Sequence, residues 1–308
     1  MSDERRSGWG TVSAGLFVLA ALLALYLVPR ATAGPTSVLT GVEFLVFGIV
    51  VGAYGTMVGA GGGFLIVPAL LLVYRVSPAQ AAGTSLAVVF LNALAGTISY
   101  ARQKRVDYRS GLTFAVATLP GAISGAYLAR FFTGRGFDIV FGVVMLLLAG
   151  LLLWRPAAEE EYAAALVEEA EPWWHIDQRL TDRSGEMYRY RYNLLVGVAV
   201  SFVVGFLSSI FGIGGGIIHV PVLIYVLGFP AHIATATSHF ILVISAGAGA
   251  VSHIWLGNVL FGPAIFMGLG AIFGAPVGAR LARRLHGSRI VRFLSLALFV
   301  VGLRLLLR

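Results

Sequence analysis

Apolar residues in this chain run in blocks of about twenty, separated by short polar turns. The blocks predict helical segments at 11–28, 38–58, 64–74, 80–100, 110–130, 137–154, 193–211, 215–227, 233–253, 259–279 and 289–307. Most are long enough to span a hydrocarbon core as helix. The strict alternation of a transmembrane barrel strand is absent from them. The first block has a rival reading as a secretory leader, because Arg5 and Arg6 precede it and Ala31–Gly34 offers a small-residue cleavage site. Its length favours a retained helix.

Composition strengthens the pattern. Of 308 residues 58% are hydrophobic and 12% are charged, about half the charged share of a soluble domain. The lipid bilayer is therefore the first partner, and a multi-pass protein of the cell membrane is expected. The net charge of +8 sits largely in short loops between apolar blocks, the positive-inside signature, which argues against nucleic acid as a partner. There is no cysteine, so disulfides, thiolate metal sites and cysteine nucleophiles are excluded.

The chain repeats itself. A shift of 153 positions carries Gly52, Gly59, Gly61, Gly62, Gly63 and Pro68 onto Gly205, Gly212, Gly214, Gly215, Gly216 and Pro221, and Thr84–Ser85 onto Thr237–Ser238. After a four-residue gap, Gly121–Ala129 lands on Gly270–Gly278. This divides the chain into an N-terminal transmembrane helix and linker (1–37), a first transmembrane repeat (38–154), an acidic loop (155–192) and a second repeat (193–308). The basic loop of the first half, with Arg102, Lys104, Arg105 and Arg109, has an uncharged counterpart near 254–262, and the next connection is basic instead, with Arg280, Arg283, Arg284 and Arg289. Positive-inside placement then inverts one half relative to the other. It also puts the N-terminus and the 155–192 loop in the cytoplasm. In that loop Ala157–Glu171 reads as helix, and Trp174–Tyr192 alternates around Ser184–Gly185 as a hairpin would. A solvated linker and a regulatory or partner-binding element are both open readings of it. The expected class is an all-α polytopic membrane protein of two five-segment, inverted repeats with broken Gly-rich helices and one extra N-terminal helix.

The Gly-rich stretches Gly55–Pro68 and Ser208–Pro221 carry the candidate chemistry. A dinucleotide fingerprint needs a preceding strand and an acidic residue about 20 positions on, and a P-loop needs Gly-Lys-Ser/Thr; both are missing. Close helix packing accounts for a lone Gly121–Gly125 pair. It accounts less well for four glycines in five positions, then a short helix and Pro, placed twice. Broken helices at matching positions of two halves point to a transport site, and a helix N-terminus at such a break attracts an anion.

The doubled Gly-x-Gly-Gly-Gly…Val-Pro pattern, followed by Ala-Gly-Thr-Ser at 82–85 and Ala-Thr-Ser at 236–238, resembles the sulfite exporter TauE/SafE family of membrane transporters over residues 41–307. The resemblance implies passage of sulfite, organosulfonates or related sulfur oxyanions, in the direction of export, and in some members other small organic anions. The acidic central loop and the extra first helix depart from the family's commoner form.

The candidate substrate-binding residues are Gly59, Gly61, Gly62, Gly63, Thr84, Ser85, Asn92, Gly212, Gly214, Gly215, Gly216, Thr237, Ser238 and His239. Hydroxyls can donate to an oxyanion without trapping it by charge, although they also satisfy their own helix backbone. Ionisable residues are costly in a membrane, which singles out His219, His239, His253 and Glu43 as candidates for proton coupling; Glu43 also fits a headgroup-facing position. The histidines match Ile66, Leu86 and Tyr100 of the first half, so they are asymmetric additions. Their spacing suits no metal and no cofactor is expected. No nucleophile–base set supports an enzyme. Alternating-access transport of a small anion is the leading expectation, driven by a gradient since no ATPase motif is present. An anion channel, a transporter of another organic anion and a membrane scaffold are the alternatives, and a second copy of the chain is a candidate partner.

Overall fold

The computed structural model describes residues 38–132, 134–154 and 173–307. The expected first helix at 11–28, the leader cleavage site and the 157–171 helix lie outside the described residues. Ten helices and one hairpin follow in order: α1 (Val38–Val58), α2 (Gly63–Leu72), α3 (Pro78–Arg102), α4 (Tyr108–Leu128), α5 (Gly134–Trp154), β1 (His175–Thr181), β2 (Met187–Asn193), α6 (Leu194–Phe211), α7 (Gly216–Tyr225), α8 (Ala231–Trp255), α9 (Phe261–Arg284) and α10 (Gly287–Leu306). Among the described residues seven helices are long and apolar enough to cross a membrane. The chain is thus an all-α polytopic membrane protein. Helices α2 and α7 are apolar but only 10 residues long each, and α10 carries Arg289, Arg292 and Arg304. Large apolar side chains such as Leu112, Val116, Ile265 and Phe273 face outward, as expected where lipid is the solvent.

Local sequence sets the helix starts. Ser77 and Gln80 form a capping box around Pro78 at the first turn of α3. Asp107 accepts from Ser110 N at 3.1 Å at the start of α4, and Asn193 accepts from Val196 N at 3.1 Å at the start of α6. Pro68 and Pro221, expected to follow the short helices, instead lie inside them.

Packing respects the repeat. Helix α1 lies on α9, and its counterpart α6 lies on α4; α3 lies on α9, and α8 on α4; α3 meets α8, and α5 meets α10. The small residues of the late repeat segments allow close approach. A Cβ on Gly121 or Gly125 would strike the Phe202 and Phe206 carbonyls of α6, and one on Gly270 or Gly274 the Leu45 and Ile49 carbonyls of α1. Two matching bonds fix how α3 and α8 run. Thr84, early in α3, accepts from Leu260 N just beyond the end of α8 at 3.0 Å. Thr237, early in α8, accepts from Asp107 N just beyond the end of α3 at 3.1 Å. The start of each lies at the end of the other, so these repeat counterparts are antiparallel.

The expected hairpin is present: β1 and β2 pair antiparallel from His175↔Asn193 to Thr181↔Met187, with Gly185 at φ +89° in the turn. Tyr188, Tyr190 and Tyr192 put one buried face of β2 toward the helices. Tyr190 and Tyr192 pack on Phe229, with ring centroids 4.4 and 5.3 Å apart. Tyr190 donates to Asp107 at 2.8 Å, Tyr192 and Ser110 hydroxyls meet at 2.7 Å, and Ser110 also bonds Asp107. Arg105 donates from Nε and Nη2 to Asp182 at 3.1 and 2.9 Å. The hairpin is therefore bolted to the basic loop between α3 and α4.

Candidate functional site

Both Gly-rich stretches break their helices, and both do so through left-handed backbone. In the first, Gly59, Gly61 and Gly62 have φ of +80°, +73° and +87°; in the second, Gly212, Gly214 and Gly215 have +70°, +75° and +84°. Gly62 and Gly215 are the N-caps of α2 and α7. Side-chain-bearing residues rarely hold such angles, so the glycines set the break as well as permit it.

The two breaks touch. A Cβ built on Gly63 would lie 2.6 Å from the Gly212 carbonyl oxygen, and one on Gly216 would lie 2.5 Å from that of Gly59. The first turns of α2 and α7 therefore converge, each against the other half's break. Residues 59–63 and 212–216 are all buried.

The carbonyls of the breaks are tied outward by side chains of α3 and α8. Ser85 donates to the Gly212 carbonyl at 2.7 Å, and its counterpart Ser238 donates to that of Gly59 at 3.0 Å. Asn92 Nδ2 donates to Gly61 at 3.0 Å, and its counterpart Ser245 to Gly214 at 3.4 Å. The negative ends of these peptide groups are thus occupied. The first N–H groups of α2 and α7 have no acceptor earlier in their own helices, so the positive ends of both helices point into the junction. Such an arrangement favours an anion.

The other predicted residues fall in three groups. Thr84 and Thr237 join α3 and α8 to loops, as described above, rather than facing the breaks. His239 belongs to a chain that ends on the first break. Asn92 must donate through Nδ2 to reach a carbonyl, so its Oδ1 accepts from the Thr56 hydroxyl at 3.0 Å. That spends the Thr56 hydrogen, and His239 Nε2, 3.3 Å away, is the donor to Thr56 Oγ1. The Tyr100 hydroxyl closes the group by donating to the Thr56 carbonyl at 2.7 Å. His219 follows the second break by one turn, its Nε2 3.3 Å from Ser201 Oγ.

His253 and Glu43 stand apart. His253 Nε2 lies 3.1 Å from the Ser209 carbonyl and its Nδ1 3.4 Å from Asn258 Nδ2. A carbonyl only accepts, so His253 is protonated at Nε2 and accepts at Nδ1. It repeats the bond that Tyr100 makes to the Thr56 carbonyl in the first half. Glu43 lies near the start of α1, next to Phe44, whose ring packs 4.8 Å from Tyr74.

Sequence reasoning missed Thr56 and Tyr100, and it missed Val89 and Leu242, which close over Gly61 and Gly214. The repeat held a signal for some of them. Thr56 and Ser209 are hydroxyls at matching positions just before the two breaks.

Comparisons with known proteins find membrane transporters. The chain is 36% identical over 272 residues to the Bacillus subtilis protein named probable membrane transporter protein YunE, covering 86% of this chain and 97% of that one. It is 27% identical over 278 residues to a protein of Methanocaldococcus jannaschii also named a probable membrane transporter protein, covering 85% and 94%. A similarly named Escherichia coli protein, YfcA, is 26% identical over 235 residues. No solved structure gives a significant match. Residues 44–305 match the family described as sulfite exporter TauE/SafE, and the chain belongs to that family of membrane transporters.

Proposed function

We propose that the chain carries a small sulfur oxyanion, sulfite or an organosulfonate, across the membrane by alternating access through a site at the two facing breaks. The observation that carries this reading is the convergence of the α2 and α7 N-termini, with Gly63 against Gly212 and Gly216 against Gly59. Two helix dipoles then attract one anion without a fixed cation to trap it. The family name supports sulfur oxyanions.

In this reading the halves 38–154 and 193–308 are inverted repeats that rock about the shared site. The antiparallel run of α3 and α8 and the exchanged Thr and Ser bonds support the inversion. The burial of every break residue favours a gated route over a standing pore. Ser85, Asn92 and Ser238 hold the break carbonyls away from the anion, while Gly59, Gly61–Gly63, Gly212 and Gly214–Gly216 shape the cradle. His239 and His219 remain the candidates for a coupled proton. His253 is the weaker one, because both of its ring nitrogens are engaged. The hairpin and the basic α3–α4 loop share one side, which the positive-inside rule assigns to the cytoplasm.

Counterflow in proteoliposomes loaded in turn with sulfite, sulfoacetate, sulfate and acetate tests the substrate. Exchange of sulfite or sulfoacetate in clear preference to acetate is expected. Exchange of none of the four would overturn the substrate reading.

A further inference from the structure

The face that α3 turns toward the breaks reads Ser85, Val89, Asn92, and the matching face of α8 reads Ser238, Leu242, Ser245. The spacing of four and then three places each set on one side of its helix. The outer members of both sets bond to break carbonyls. The middle members are apolar, and they are repeat counterparts.

Their placement is specific. A Cβ on Gly61 would lie 2.9 Å from Val89 Cγ1 and 3.4 Å from Leu242 Cδ1, and one on Gly214 would meet Val89 and come within 2.8 Å of Leu242 Cδ2. Leu242 also stands 2.6 Å from a Cβ on Gly216. So one Val–Leu pair covers the central glycines of both breaks at once. Both side chains are wholly buried, in a separate apolar cluster with Leu86, Ala93, Ala246 and Ala250.

We propose that Val89 and Leu242 form the apolar constriction of the transport route, and that their combined bulk sets how large an anion passes the two breaks. The inference rests on the reading of the breaks as the anion site. An apolar seal between two polar regions is a barrier to a hydrated ion. It keeps the attraction of the helix ends from becoming a leak, and it yields only when the helices part. Pocket bulk sorts ligands by size, and one methylene on the ligand can be worth about tenfold or more. The pair is an unequal one, and Leu242 is the larger stop.

The test is competitive uptake of sulfite and propanesulfonate into proteoliposomes by the wild type and by Val89→Ala, Leu242→Val and Leu242→Ala. The ratio of propanesulfonate to sulfite uptake should rise about tenfold in Val89→Ala and Leu242→Ala, and less in the conservative Leu242→Val. Ratios within twofold of wild type in all three would overturn the proposal. The absence of cysteine provides a second readout if a truncated variant fails to fold. Val89→Cys should react with a small methanethiosulfonate in membranes, and saturating sulfite should slow that labelling severalfold; labelling indifferent to sulfite would also overturn the proposal. Gly62→Leu, run alongside, separates the two ideas. If it loses sulfite flux while the uptake ratios stay unchanged, only the constriction falls. If it keeps sulfite flux and the ratios stay unchanged, the constriction and the anion site fall together.

Discussion

The hydroxyl of Ser85 donates to the carbonyl of Gly212, in the other half of the chain, at 2.7 Å. Ser238 returns the same bond to Gly59 at 3.0 Å. The two serines pin each half's long helix to the other half's break. Interhelical bonds in membrane proteins are worth about 0.6 kcal/mol on average and up to about 1.7. Ser85→Ala and Ser238→Ala should each lower stability by an amount in that range, nearer the top because a buried carbonyl is left without its donor. Thermal denaturation in detergent measures it, and an unchanged midpoint in both variants would contradict the bracing role.

The break glycines should differ in what they tolerate. A left-handed angle costs a side-chain-bearing residue about 1–2 kcal/mol, and local space adds to that. At Gly215 a Cβ would stand 3.2 Å from Val204 Cγ1, close but bearable, whereas at Gly62 it would come 2.5 Å from Val51 Cγ1 and 2.9 Å from the Val51 carbonyl. At Gly212 it would press on the Ala82 backbone. Melting midpoints should therefore fall in the order Gly215→Ala, Gly62→Ala, Gly212→Ala, the last being the least stable. A Gly212→Ala variant as stable as Gly215→Ala would show that the breaks do not dock as described.

Asn92 anchors the first break and Ser245 the second. Replacing Asn92 by Ser copies the second half's solution, so Asn92→Ser should keep a measurable share of anion flux. Asn92→Leu leaves the Gly61 carbonyl and the Thr56 hydroxyl without their partner, and flux should fall by tenfold or more if about 1.4 kcal/mol is lost. Equal flux in the two variants, measured by uptake into proteoliposomes, would remove Asn92 from the account.

The hairpin clamp should be sensitive to acid. Burial pushes the Asp182 carboxyl up, but hydrogen bonds from the Ser184 and Arg105 side chains and from the Ser184 and Glu186 backbone outweigh it and hold it low, at about 2. A carboxyl depressed by folding adds stability that is present above its unfolded value, about 3.9, and is lost as pH falls toward the folded value. Pepsin should cut 173–193 faster in Asp182→Asn than in wild type at pH 4, and the two rates should converge near pH 2. Equal rates at both pH values would show that Asp182 does not hold the hairpin.

Much of this arrangement was legible in sequence. The apolar blocks place all ten described helices to within a few residues, and Ser184–Gly185 marks the hairpin turn. The doubled glycines locate both breaks, because left-handed backbone leaves so few other residues eligible. The partners were not legible. A shift of 153 says that Ser85 corresponds to Ser238, but not that each reaches across to the other half's first glycine, since that depends on how the halves dock. The hydroxyls expected to face an anion were instead needed by break carbonyls, which no chain can bury unbonded. Thr84 and Thr237 were likewise taken up by buried backbone, each accepting from a loop N–H. Val89 and Leu242 looked like ordinary core residues, because nothing in a run of apolar positions distinguishes the one that lies over a break.

Sulfite counterflow by reconstituted Gly62→Leu and Gly215→Leu tests the anion site most directly. A side chain on Gly62 would press on Val51 of α1 and one on Gly215 on Val204 of α6, so each leucine displaces the N-cap of α2 or α7. Both variants should insert and reconstitute but exchange no sulfite, while the wild type exchanges it. Wild-type exchange in both would contradict the anion site.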